Sequence, residues 1–128
     1  MQSTNPGLNH IEFWVSDLKK SLAFYEPLFS AIGWRKLGEG EFSSGSTMIY
    51  FVERPVAKSD TAGPRHLCFQ AASRDVVDAV GKLLTASGAT VLRGPVEMAK
   101  YSAGYYTVDF RDPDGYVLEV AHTPNMTL

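Results

Sequence analysis

LNHIEFWV at residues 8–15 and RHLCFQA at residues 65–71 are the two stretches on which the fold turns. In the first, Ile11, Phe13 and Val15 alternate with His10, Glu12 and Trp14. A period of two marks a strand with one apolar face and one more polar face. In the second, Leu67 and Phe69 alternate with His66 and Cys68, so another strand presents the same two faces. Laid over one another, His10 meets His66 and HIEF meets HLCF. The match runs on downstream, with Leu28 over Leu84 and Ala31-Ile32-Gly33 over Ala86-Ser87-Gly88 after one deletion. The chain therefore reads as an internal repeat.

Each half has the same order of elements. After the first strand, Ser16 or Asp17 offers an N-cap oxygen. Leu18, Leu22, Tyr25, Leu28 or Phe29, and Ile32 follow at helical spacing, and Gly33 supplies a left-handed stop. Pro27 lies inside this helix and predicts a kink or an early break. A short strand from Trp34 to Gly38, turns at Glu39-Gly40 and Ser44-Gly45-Ser46, and a strand from Thr47 to Glu53 complete the half. In the second half Ser73 caps a helix carrying Val76, Val77, Val80, Leu83 and Leu84, which Gly88 stops. Ala89 to Leu92 reads as a strand, Gly94 to Gly104 as a loop, and Tyr105–Phe110 and Tyr116–Ala121 as strands. The turn Asp112-Pro113-Asp114-Gly115 joins the last two. The prediction is an α+β fold in one domain over residues 1–128: module 1 at about 7–53, a linker at 54–64 rich in Pro, Gly and Ser, and module 2 at about 65–122. A module this short cannot bury both faces of its sheet alone, so the two must pair.

Composition narrows the function. The net charge of -2 and the absence of a basic cluster longer than Lys19-Lys20 argue against nucleic acid as a partner. No apolar run approaches the roughly 20 residues that span a bilayer, so no membrane partner is expected. Met1 to Gly7 has neither a positive start nor an apolar core and does not read as a signal peptide. One cysteine, Cys68, cannot form an internal disulfide, so a reducing, cytoplasmic setting is the default expectation.

Several segments together carry a resemblance. They are the opening strand with His10, then Asp17-Leu18 and Phe24-Tyr25, then Pro64-Arg65-His66, and the run FRDPDGYVLEV at residues 110–120. With these the chain resembles the vicinal-oxygen-chelate superfamily: glyoxalases, bleomycin- and fosfomycin-resistance proteins, epimerases and extradiol dioxygenases. The resemblance implies paired βαβββ modules whose sheets curl around a metal cavity with helices outside. It also implies one divalent ion (Zn, Fe, Mn, Ni or Co) held by His10, His66 and Glu119. Alternation agrees with that transfer. His10 and Glu12 oppose the apolar face of their strand, His66 and Cys68 that of theirs, and Glu119 lies between Leu118 and Val120. The repeat makes Tyr50 the counterpart of Glu119.

A single histidine on a strand is an ordinary structural residue. Two of only three histidines at matching repeat positions, with an inward carboxylate that would be costly without a partner, favour a metal. Two imidazoles and a carboxylate suit a borderline divalent ion and leave positions open for a small-molecule substrate with adjacent oxygens. Glu119, Glu12, Asp109 and Tyr50 are the candidate catalytic groups; for Glu12 and Asp109 the bland alternative is a solvated carboxylate in an open cavity. Cys68 reads as a small cavity residue, and His122 as a surface residue on the face opposite Glu119.

Against named members, the chain has Tyr50 where glutathione-dependent glyoxalases have a fourth ligand, Glu. It has Trp14 near their glutathione-binding Arg, and Glu12 where fosfomycin transferases have Thr. The reaction class stays open between isomerase or lyase, dioxygenase and transferase. The alternatives are a metal-free drug-binding resistance protein and a non-catalytic regulatory module. Two further expectations are that the loop Gly94–Gly104 moves as a lid, bringing Met98 and Tyr101 over the substrate, and that the chain forms a homodimer. The linker of about eleven residues, at roughly 3.3 Å each, is long enough to let the halves exchange between chains. His10 of one chain would then meet His66 and Glu119 of the other.

Overall fold

The computed structural model describes residues 8–56 and 66–126. Most of the expected linker, with Pro64 and Arg65 of the second motif, lies outside the described residues. The first half runs β1 (His10–Val15), α1 (Leu18–Ile32), β2 (Arg35–Gly38), β3 (Glu41–Ser43) and β4 (Met48–Glu53). The second runs β5 (Leu67–Gln70), α2 (Arg74–Ala86), β6 (Val91–Glu97), β7 (Tyr106–Arg111) and β8 (Val117–His122). Each half folds into its own four-stranded sheet, ordered β1-β4-β3-β2 and β5-β8-β7-β6. In each the first and last strands pair in parallel and the rest antiparallel. This is the α+β fold of paired βαβββ modules that the repeat implied.

The local signals are used as read. Asp17 caps α1 through a bond from the Lys20 amide, and Ser73 caps α2 through one from the Val76 amide. Gly33 ends α1 at φ 91°, a left-handed conformation that a side chain would strain. The early break that Pro27 allowed does not occur: α1 runs through it from Leu18 to Ile32. On either side of it Tyr25, Leu28 and Phe29 are buried, and that packing holds both turns in register against the local cost of proline.

A correction concerns residues 94–97. Gly94 and Pro95 belong to β6, not to a loop, and the loop is confined to residues 98–104. The strand is irregular there, with register shifts between Val91 and Arg93 and between Arg93 and Val96. Gly94 makes it possible: a Cβ at this position would lie 2.2 Å from the Thr107 carbonyl oxygen. Glycine and proline in a strand mark such bulges as readily as they mark loops.

The two halves share one core. Phe29 packs edge-on against Phe69 at 5.7 Å between ring centres, Phe13 stacks on Tyr116 at 5.3 Å, and Phe24 meets Phe110 at 6.2 Å. The helices also pack on one another. A polar tie joins the halves as well: the buried Tyr25 hydroxyl donates to Asp112 Oδ2 at 2.6 Å. The apolar faces of both sheets enter this core through Phe13, Val15, Ile49 and Phe51 on one side and Phe69, Val108, Phe110, Leu118 and Val120 on the other. The opposite face of each sheet turns away from it, and those two faces carry the candidate site residues.

Candidate functional site

On the first sheet, pleating places His10, Glu12 and Trp14 on the exposed face of β1. Parallel pairing sets Glu12 opposite Tyr50 of β4. Glu12 accepts hydrogen bonds from Trp14 Nε1 at 2.6 Å and from the Tyr50 hydroxyl at 2.9 Å. These bonds, the Trp14 one first, hold the Glu12 carboxyl below its usual acidity range, and the Tyr50 phenol is raised in return. His10 contacts Asn9 Oδ1 through Nδ1 at 2.8 Å, with its ring 5.9 Å from that of Tyr50.

On the second sheet the register of the repeat holds. Cys68 of β5 pairs opposite Glu119 of β8, as Glu12 pairs opposite Tyr50. His66, just before β5, brings Nε2 to 3.3 Å from Glu119 Oε1. Glu119 is 5% exposed, and its other oxygen, Oε2, accepts from the Tyr105 hydroxyl and from Thr107 Oγ1, each at 2.6 Å. Burial, then the bond to Glu119, pushes the Tyr105 phenol well up, so it stays a donor. Asp109, the cross-strand partner of Glu119, forms an ion pair with Arg93 Nη2 at 2.7 Å. Burial and the nearby Glu119 charge raise the Asp109 carboxyl despite that arginine. Arg93 Nη1 in turn donates to the Tyr101 hydroxyl at 3.3 Å. These groups line an open cleft of about 710 Å³, rimmed by Leu92 and Met126. Cys68 is the free thiol of this sheet, with burial and the charges of Glu119 and Asp109 pushing it up to about 12. His122 is half-buried at the end of β8, its Nδ1 3.4 Å from the Ala71 carbonyl.

Of the expected metal set, the structure brings His66 and Glu119 together and leaves His10 on the other sheet. Among the described residues no three His, Cys, Asp or Glu side chains are grouped so as to hold a metal ion. The pair fits such an ion as far as it goes. It offers an imidazole nitrogen and a buried carboxylate oxygen, Oε1, that faces it, a donor chemistry suited to borderline divalent metals. Of the catalytic candidates, Glu119 and Asp109 share the second-sheet cleft, while Glu12 and Tyr50 lie with His10. Three residues at the site were given no role by the sequence reading. Tyr105, on the cleft wall, and Thr107, buried behind Glu119, lie on the same alternation as Asp109, the signal that could have assigned them. Arg93 meets Asp109 only because of the β6 irregularity, which no spacing rule announces.

Comparison with known proteins gives the same architecture a family. Residues 7–120 match the Glyoxalase/Bleomycin resistance protein/Dioxygenase superfamily. The chain belongs to that superfamily. Among curated relatives, the metallothiol transferase FosB of Lysinibacillus sphaericus is 30% identical over 122 residues, covering 91% of this chain and 82% of that protein. Virulence protein STM3117 of Salmonella typhimurium is 29% identical over 122 residues, covering 89% and 82%. Among solved structures, a glyoxalase/bleomycin resistance protein from Albidiferax ferrireducens superposes with a TM-score of 0.74 at 23% identity, covering 91% of this chain and 98% of that one. That last likeness is one of fold. The superfamily includes enzymes, and FosB is a distant homologue of this member. Among the described residues no helix is long and apolar enough to cross a membrane.

Proposed function

We propose that this superfamily member is a metal-dependent enzyme acting on a small molecule with vicinal oxygens, as an isomerase or lyase or as a dioxygenase. Its site is shared between the subunits of a homodimer. The observation that carries the reading is the presentation of Glu119. A buried carboxylate beside His66 has one oxygen satisfied by two hydroxyls and the other turned to the imidazole. Leaving such a group uncompensated is expensive, and a cation offsets the cost. The name of its FosB relative, a metallothiol transferase, points the same way.

The missing third ligand follows from the fold. His10 lies on the face of the first sheet that turns away from the shared core, and Glu119 lies on the corresponding face of the second. A twofold dimer would set the first sheet of one protomer against the second sheet of its partner, giving two equivalent sites. Trp14, 50% exposed on the His10 face, would be covered in that assembly. The ion, one of Zn, Fe, Mn, Ni or Co, supplies Lewis-acid stabilisation of charge on the substrate oxygens. The chain's own groups do the rest. Asp109 stands in the cleft as a carboxylate held above its ordinary pKa by burial and the nearby Glu119 charge, which makes it a stronger base toward a substrate proton. Arg93 keeps it oriented. Glu12 and Tyr50 form a fixed hydrogen-bonded pair on the opposing wall.

Mixing decides the matter. His10→Ala and Glu119→Ala proteins each lack one ligand in every site; a mixed dimer of the two regains one intact site. Purified wild-type protein should hold about one divalent ion per chain after dialysis, and the mixture should regain metal and activity that neither variant has. A wild-type protein that holds no ion but binds a planar drug would establish the sequestering alternative instead. If the subunits exchange and no metal returns, the shared site is refuted.

A further inference from the structure

We propose that Thr107 and Tyr105 are positioning residues that pin Oε2 of Glu119 and thereby reserve a single oxygen, Oε1, for the metal ion. The inference rests on the reading of Glu119 as a ligand. A carboxylate can bind a cation through one oxygen or through both, and free rotation about its last torsion lets it alternate. Here rotation is opposed by two donors on the same atom.

Thr107 Oγ1 has one proton and three acceptors in reach: Glu119 Oε2 at 2.6 Å, the Val120 carbonyl at 3.2 Å and Asp109 Oδ1 at 3.5 Å. The shortest contact is to a carboxylate, which takes the proton because charge-assisted bonds are the stronger ones. Tyr105 donates to the same oxygen at 2.6 Å. Thr107 is fully buried, and Tyr105 and Glu119 nearly so, so water does not compete for these bonds. Both donors come from one short stretch, two residues apart, and β7 pairs with β8 in a register that places Thr107 beside Ala121 and Asp109 beside Glu119. The hydroxyls are therefore held by the sheet itself. Glu119 then contributes one donor atom. With two imidazoles the protein supplies three, and the ion keeps room for both oxygens of a chelating substrate.

The test compares Tyr105→Phe, Thr107→Val and Thr107→Ser in the full-length protein. Co(II) affinity is measured by competition with a chromophoric chelator, with the visible absorption of bound Co(II) and a circular-dichroism melt recorded alongside. Removal of either hydroxyl should weaken Co(II) binding about 10–100-fold, the usual effect of losing a ligand's supporting bond. It should also lower the intensity of the Co(II) bands as Glu119 becomes free to chelate through both oxygens. Thr107→Ser keeps the hydroxyl and should restore affinity and spectrum. Folded Tyr105→Phe or Thr107→Val protein with wild-type affinity and spectrum overturns the inference alone, as does a Thr107→Ser protein no better than Thr107→Val. Wild-type protein that binds no Co(II) overturns this inference and the proposed function together. If Thr107→Val does not fold, Tyr105→Phe decides by itself.

Discussion

Tyr25→Phe removes one oxygen from the bond that ties the first helix to the last turn. The ring itself would stay in place, because it packs on Phe13, Phe29 and Phe51 with centres 6.3, 5.5 and 4.4 Å away. What is lost is the donor to Asp112 Oδ2 at 2.6 Å. Asp112 Oδ1 keeps its bonds from the amides of Asp114 at 2.9 Å and Tyr116 at 2.8 Å. Oδ2, on a carboxylate only 5% exposed, is left without a partner. Hydrogen bonds to charged groups contribute roughly 1.5–3 kcal/mol, so the loss should be about 2 kcal/mol at neutral pH. For a chain of this length that lowers Tm by roughly 8 °C, at about 4 °C per kcal/mol.

The pH dependence makes the prediction specific. Burial raises the Asp112 carboxyl above its ordinary value, while the Tyr25 bond pulls it down. Between the ordinary and the raised values the folded chain binds more protons than the unfolded one, so both proteins gain stability from this group as pH falls through that window. Without Tyr25's bond the folded-state value rises further and the variant gains more. The deficit should thus be full at pH 7 and shrink on acidification. Thermal unfolding at matched protein concentration, across the range from neutral to about pH 4, measures it. A deficit below about 0.5 kcal/mol at neutral pH, or one that grows as pH falls, would refute the reasoning.

Two further outcomes are expected. The Cys68 thiol, pushed up to about 12, should alkylate in metal-free protein at pH 8 on the order of 10²-fold more slowly than an ordinary thiol, its smaller thiolate fraction being partly offset by the greater nucleophilicity of a more basic thiolate. An iodoacetamide rate that plateaus near pH 9 would contradict this. Gly94→Ala puts a Cβ 2.2 Å from the Thr107 carbonyl oxygen at φ 87° and should cost on the order of 3 kcal/mol by chemical denaturation. A loss under about 1 kcal/mol would mean that β6 can move away from β7 freely.

How far the sequence reaches is set by the range of each interaction. Alternation in β1, β5 and β8, the caps Asp17 and Ser73, the stop at Gly33 and the turn at residues 112–115 are properties of neighbours along the chain. They were legible because a strand has a period of two and a helix of 3.6 in any tertiary context. The repeat went further and made Tyr50 the counterpart of Glu119, and the sheets then set Tyr50 opposite Glu12 and Glu119 opposite Cys68. The break allowed at Pro27 and the loop read at 94–97 are absent because packing around Tyr25 and Phe29, and the close approach of Gly94 to Thr107, override local preference. Likewise, which residues face the same way was legible, but not which faces meet. The sequence put His10, His66 and Glu119 on inward faces. Only the parallel pairing of β5 with β8 brought His66 to Glu119, and the division of the chain into two sheets left His10 on the other one. The hydroxyls of Tyr105 and Thr107 on Glu119, and Arg93 on Asp109, are cross-strand contacts whose register is fixed by pairing and bulges. Those are decided by the free energy of the assembled sheet and not by any stretch of chain on its own.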